Sequence, residues 1–284
     1  ASEIAAGVAS LTLTSTSNGN CNAVTDVMQI NLTNPPTVNA GADINSCKNN
    51  ANTVLTGVVS GPTTTGIWTG GAGSFNPGSS ALTTTYTPSA AEIAAGVATL
   101  TLTSTGNGNC NAVTDIVQIN FTPAPIVNAG IDLSVCKNNA TAALAGLISG
   151  ATSTGIWSGG AGTFNPNNTN LSSIYTPNAA ELAAGSVTLT LTSTANGNCL
   201  QVTDNVVINF TNPPTVNAGV DLSVCKNNLA AILSGTVSGI TTTGIWSGGS
   251  GSFNPGNSAL SATYTPSASE IAAGVASLTL TSTS

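Results

Sequence analysis

The chain repeats itself every 89 residues, and this period constrains its fold more than any single motif does. Glu3, Glu92, Glu181 and Glu270 fall at that interval, as do Trp68, Trp157 and Trp246, and Tyr86, Tyr175 and Tyr264. The cysteines form two such series: Cys21, Cys110 and Cys199, and Cys47, Cys136 and Cys225. Self-similarity at one period along a whole chain means one folding unit set in tandem. The segment ASEIAAGVASLTLTSTS stands at residues 1–17 and again at 268–284, three periods on. The expected organisation is a window on a longer array. Residues 1–34 would be the last two strands (F and G) of one repeat, 35–123 and 124–212 whole repeats, and 213–284 a repeat lacking its last strand.

Within residues 35–123, Pro35-Pro36 reads as a stiff linker. VNAGADINSC reads as a kinked first strand, A. TVLTGVVSG, from Thr53, alternates apolar with small polar residues, as a half-buried strand does, and gives B. GIWTGG carries Trp68 on a short strand C, GSFNP and TTTYTP give C′ and E, ATLTLTST gives F, and VTDIVQINF gives G. Seven short strands separated by turn residues predict an all-β fold, a β-sandwich in each repeat. Abundant Thr and Val suit it, because β-branched side chains pack well on a pleated surface. Between E and F, Ser89 and Glu92 keep the capping-box spacing and Gly96 supplies the stop, so one helical turn is expected at that corner. Asn178 with Glu181, and Ser267 with Glu270, repeat the device. Trp68, Trp157 and Trp246 are expected in the core with Tyr86, Tyr175 and Tyr264.

Taken together, VNAGAD, GIWTGGAGSFNP, YTPSAAEIAAG and LTLTSTGNGNC resemble the Ig-like, PKD-like repeats of very large cell-surface adhesins of Bacteroidota. The resemblance covers essentially the whole chain. It implies a tandem array of sandwich domains in an extracellular stalk or filament, associated with gliding motility and type IX secretion. It carries over no ligand and no binding residue.

Composition excludes several functions. Only 5% of residues are charged, against a usual quarter, and Lys plus Arg number three, so the chain has no means of neutralising a nucleic-acid backbone. No apolar run approaches the ~18 residues of a membrane span, so no membrane insertion is expected in this segment. Each repeat offers one Lys, one Glu and two Asp, and the chain has no His. Lacking the usual acid–base residue and holding every candidate in triplicate, the chain reads as a scaffold, with no cofactor expected and no catalytic residue. Six cysteines in register, without CxxC or His, point to disulfides in an oxidising, extracellular setting rather than to zinc.

Strand direction bears on how those cysteines pair. In a sandwich whose strands alternate direction, Cys47 in the A–B turn and Cys110 in the F–G turn lie at opposite poles, roughly 25–30 Å apart, whereas a disulfide needs Cα atoms within ~7 Å. Tandem stacking would bring Cys47 to Cys199 of the next repeat instead. Pairing inside a repeat, Cys47–Cys110 and Cys136–Cys199, is the alternative. On the cross-repeat rule, Cys21, Cys110, Cys136 and Cys225 would pair with cysteines of adjacent repeats or of other copies.

The remaining candidates each have a plainer reading. Asp43 and Asp115, at the starts of A and G, are thin calcium candidates, with turn formation and backbone hydrogen bonding as the alternatives. Lys48 and Glu92 would share a pole and form a surface ion pair, or take part in a Lys–Asn isopeptide crosslink. The tryptophans could stack on surface glycans, or serve only the core. GGAG lacks the Lys and the following helix of a phosphate loop. Three functions follow: a stalk or filament stiffened by disulfides, with neighbouring repeats as its partners; a multivalent glycan-binding module; and a self-assembling fibre subunit joined by strand addition.

Overall fold

The computed structural model describes residues 2–283. The chain divides into two compact units. One holds residues up to 127 with 148–154 and 193–202; the other holds 128–147, 155–192 and the residues from 203 onward.

In the first unit, Ser2–Ala6 (α1) precedes a hairpin of Val8–Thr14 (β1) and Thr25–Asn31 (β2), which pair antiparallel as a two-stranded sheet. Leu11, Met28 and Ile30 of this hairpin are exposed. The whole repeat follows: Thr37–Asn39 (β3), Ile44–Cys47 (β4), Thr53–Thr56 (β5), Val58–Ser60 (β6), Thr65–Gly70 (β7), Ser74–Asn76 (β8), Thr83–Thr87 (β9), Ala90–Ala95 (α2), Val97–Thr105 (β10) and Thr114–Thr122 (β11). One sheet runs β4-β11-β10-β7, a second β5-β9-β8, and a short third pairs β3 with β6. All pairings are antiparallel except β4 on β11.

Strands A and B of the sequence reading each break in two, giving nine strands where seven were expected. The first break lies at Ala40–Asp43. There the chain leaves β6 and crosses to β11, held by Ala40 N–H on Asp115 Oδ2 at 2.8 Å and by Gln118 N–H on Asp43 Oδ1 at 2.9 Å. The second break is at Gly57. A Cβ there would stand 2.5 Å from Leu102 Cδ2 and 2.7 Å from Trp68 Cζ2, so the missing side chain is what lets the tryptophan lie flat in the core.

That core is built by period-two alternation. Along β10, Ala98, Leu100 and Leu102 point inward and are buried, while the threonines between them face outward. Val117, Ile119 and Phe121 of β11 join them, with Trp68 and Tyr86 from β7 and β9. Burying each such side chain stabilises the fold by about 1.5–3 kcal/mol. The indole N–H of Trp68 keeps a partner, the Leu82 carbonyl, at 3.2 Å. Tyr86 packs on Phe75 with ring centroids 4.9 Å apart.

The next repeat in sequence has the same order, in a sheet of Leu133–Cys136, Thr203–Thr211, Ser186–Thr194 and Thr154–Ser158, with Trp157 and Tyr175 buried. Further on, Gly244–Ser247 pairs with Thr279–Ser282, and Trp246, Tyr264 and Leu280 form a core. Residues 222–224, the counterparts of Ile44–Ser46 in β4, are not in a strand. The chain is an all-β tandem array of Ig-like sandwiches with a helical turn at each E–F corner.

Candidate functional site

Two recurring constructions concentrate the polar chemistry of the chain: a carboxylate node inside each repeat, and a cysteine–asparagine turn at the end of β4.

The node begins with the capping box. Ser89 Oγ accepts from the Glu92 backbone N–H at 3.3 Å, and Glu92 Oε2 accepts from Ser89 N–H and Oγ–H, both at 2.8 Å. Glu92 Oε1 accepts from Ala72 N–H at 3.0 Å and from the Tyr86 hydroxyl at 2.8 Å, which itself accepts from Gly73 N–H at 2.8 Å. One carboxylate thus ties the helical turn to the β7–β8 loop and to a core tyrosine. Burial pushes the Tyr86 hydroxyl up to about 12, aided by its bond to Glu92. Burial also pulls the Glu92 carboxyl up, but the donors from Ser89, Ala72 and Tyr86 outweigh it and hold the group below its ordinary range. Glu181 with Tyr175 and Glu270 with Tyr264 repeat the arrangement, and the Ser267 N–H leads in holding Glu270 down to about 2.

Glu92 therefore does not pair with Lys48, contrary to the sequence expectation. Its oxygens are turned into the node, and Lys48 Nζ instead donates to the Ala94 carbonyl at 3.2 Å, where a cation meets the negative end of the helical turn. The same contact places Lys48 against a backbone carbonyl rather than against an Asn side chain.

The second construction is the turn Cys47-Lys48-Asn49-Asn50. Asn50 N–H returns to the Cys47 carbonyl at 2.9 Å, Lys48 N–H donates to the Thr122 carbonyl at 3.0 Å, and Ser46 Oγ donates to the Asn50 carbonyl at 2.9 Å. This tight turn projects two amides. Asn49 makes a two-way pair with Leu200, its Nδ2 donating to the carbonyl and its Oδ1 accepting from the N–H, both at 3.1 Å. Asn50 Nδ2 donates to the Asn198 carbonyl at 3.0 Å, and Asn198 Nδ2 returns to the Asn45 carbonyl at 2.9 Å. In the middle Cys47, fully buried, forms a disulfide with Cys199, with Cα atoms 5.0 Å apart. All of these residues lie within the first compact unit.

Cys110 lies 3.6 Å from the Asn34 carbonyl, as Cys199 lies 3.7 Å from that of Pro123, one period on. The structure brings Cys110 to neither Cys47 nor any other sulfur, and Cys199 is joined to Cys47 rather than to Cys136. The alternative pairings within a repeat are therefore not formed. Cys21 and Cys225 are exposed thiols, and Cys110 and Cys136 half-buried ones. Asp43 and Asp115, the calcium candidates, each accept a backbone N–H across the break in strand A. No cluster of three or more metal-ligating side chains occurs among the described residues. Trp68, Trp157 and Trp246 are at most 2% exposed, which leaves no ring face for a sugar. The asparagines were missed by the sequence reading, although the run CKNN recurs at 47–50, 136–139 and 225–228 and could have flagged them.

No family model matches the chain, and no curated protein matches it. Among solved structures it is similar to the three-Ig titin segment I67–I69, at 10% identity over 83% of this chain and 90% of that one, with a TM-score of 0.39. It is similar to Sidekick-1 immunoglobulin domains 1–5, at 13% identity over 82% and 53%, with a TM-score of 0.36. Mouse cadherin-23 EC22–24 matches at 14% identity over 82% and 89%, with a TM-score of 0.35. No helix among the described residues is long and apolar enough to cross a membrane.

Proposed function

We propose that this chain is structural: an extracellular array of sandwich repeats, at 35–123, 124–212 and flanking copies, that forms the stalk or filament of a surface adhesin of the Bacteroidota type. It is a scaffold and not an enzyme. The observation that carries the reading is the junction at Cys47. A disulfide and four amide hydrogen bonds join a turn of one repeat to a turn of the next, using residues that recur every 89 positions. Such a joint ties the two turns together against pulling. The scarcity of charge fits a scaffold whose cohesion is indifferent to ionic strength.

Stretching single molecules tests this. Cys47 and Cys199 are 152 residues apart. At about 3.5 Å per residue, the oxidised chain should reach full extension roughly 500 Å short of the reduced chain. Equal extensions in the two states would remove the stiffening role. Peptide mapping without reduction should recover Cys47 linked to Cys199.

A further inference from the structure

We infer that the joint around Cys47 holds a binding site for a neutral saccharide. This goes beyond the scaffold reading and does not depend on it. At the joint lies a pocket of about 280 Å³, walled by Ile44, Asn45, Asn50, Asn52 and Val54 on one side and by Asn198 on the other. All of these residues belong to the first compact unit. The volume lies just under the ~300–1,000 Å³ of sites for drug-sized molecules, which suits one sugar ring at the end of a chain.

The lining selects the class of ligand. It contains no carboxylate, so a metal cation would find no charge to offset its own, and no Lys or Arg to hold an anion. It offers four carboxamides instead. Each carboxamide carries two N–H donors and an acceptor oxygen, and a sugar hydroxyl both donates and accepts, so the two match without charge. Asn50 Nδ2 donates to the Asn198 carbonyl at 3.0 Å and Asn198 Nδ2 to the Asn45 carbonyl at 2.9 Å, which holds these two amides in place. Asn45 gives the joint only that backbone carbonyl. Its side chain and that of Asn52 are exposed and, among the described residues, hydrogen-bond to no other group. Ile44 is half-buried and Val54 is 60% exposed, and together they supply an apolar wall for the C–H face of a ring.

The repeats themselves separate this lining from what the fold requires. CKNN recurs in all three, but Asn45 gives way to Ser134 and Ser223, and Asn52 to Thr141 and Ala230. The same tight turn forms regardless: Asn139 N–H returns to the Cys136 carbonyl at 2.9 Å and Asn228 N–H to that of Cys225 at 2.8 Å, as Asn50 does to Cys47. The turn therefore needs neither Asn45 nor Asn52, and the two extra carboxamides are a property of this joint alone among the three runs.

Titration of the isotope-labelled full chain with the methyl glycosides of glucose, galactose and mannose and with N-acetylglucosamine, followed by heteronuclear NMR, tests the inference. At least one of the four should shift the side-chain amide signals of Asn45, Asn52 and Asn198 saturably, while N-acetylneuraminic acid, which is charged, should shift none. Asn45→Ala combined with Asn52→Ala, both at exposed positions, should leave the Cys47–Cys199 bond and the rest of the spectrum intact and weaken binding at least about tenfold. No saturable shift with any of the four sugars, shifts confined to other residues, an affinity unchanged in the double variant, or equal binding of the charged sugar would each overturn the inference.

Discussion

Tyr86→Phe is the sharpest probe of how a repeat holds its corner. The substitution deletes one oxygen and leaves the ring in contact with Phe75. That oxygen donates to Glu92 Oε1 at 2.8 Å and accepts from Gly73 N–H at 2.8 Å. A hydrogen bond to a charged group contributes about 1.5–3 kcal/mol, and an unpaired buried donor costs about 1–3 kcal/mol. The carboxylate keeps its bonds from Ser89 and Ala72 and is partly solvated, which puts the loss at the low end, about 2 kcal/mol. The three repeats need not unfold as one, so a single melting curve is the wrong instrument. Native-state hydrogen exchange read by mass spectrometry isolates the affected repeat. Peptides spanning residues 72–96 should exchange roughly thirtyfold faster, as 2 kcal/mol implies. Those of residues 161–185, around the intact Tyr175 node, should not change. Pairing the substitution with Glu92→Gln should give a coupling of about 1 kcal/mol. Strictly additive effects, or unchanged exchange at 72–96, would refute the idea that the hydroxyl and the carboxylate act as one knot.

Other consequences can be checked as directly. Gly57→Ala should destabilise its repeat by about 1–3 kcal/mol, because the new methyl meets Leu102 and a tryptophan fixed by its own hydrogen bond; Gly78→Ala, which meets nothing within 4 Å, is the neutral control in the same denaturant titration. The node carboxyls have folded pKa values held low, so their contribution is present above the ordinary value of 4.5 and fades as pH falls from there, toward about 2 for Glu270. The tyrosines run the opposite way: held up to about 12, Tyr86 and Tyr175 contribute fully below pH 10.0 and lose that contribution as pH rises to about 12. A stability profile flat from neutral pH to 9 and falling at both extremes is expected by circular dichroism. Asn49→Ala should leave the repeats folded yet speed reduction of the Cys47–Cys199 bond by dithiothreitol, since both bonds with Leu200 vanish.

The period of 89 residues, the Leu–Thr alternation of β10 and the Ser89–Glu92 spacing made the sandwich, its core strand and its helical corner legible from sequence alone. These are local signals: alternation selects a face, and a cap needs only three residues to be recognised. Tertiary structure decided what local pattern does not encode. Strand B breaks at Gly57 because a tryptophan eleven residues later needs the space, and strand A breaks because two aspartates draw its backbone toward β11. Lys48 turned to a carbonyl once Tyr86 and the Ala72 N–H had claimed Glu92. The amides of Asn49 and Asn50 found their partners some 150 residues away. Hydrogen bonding between groups that distant is set by the folded chain, and side-chain identity along the sequence carries no measure of that distance.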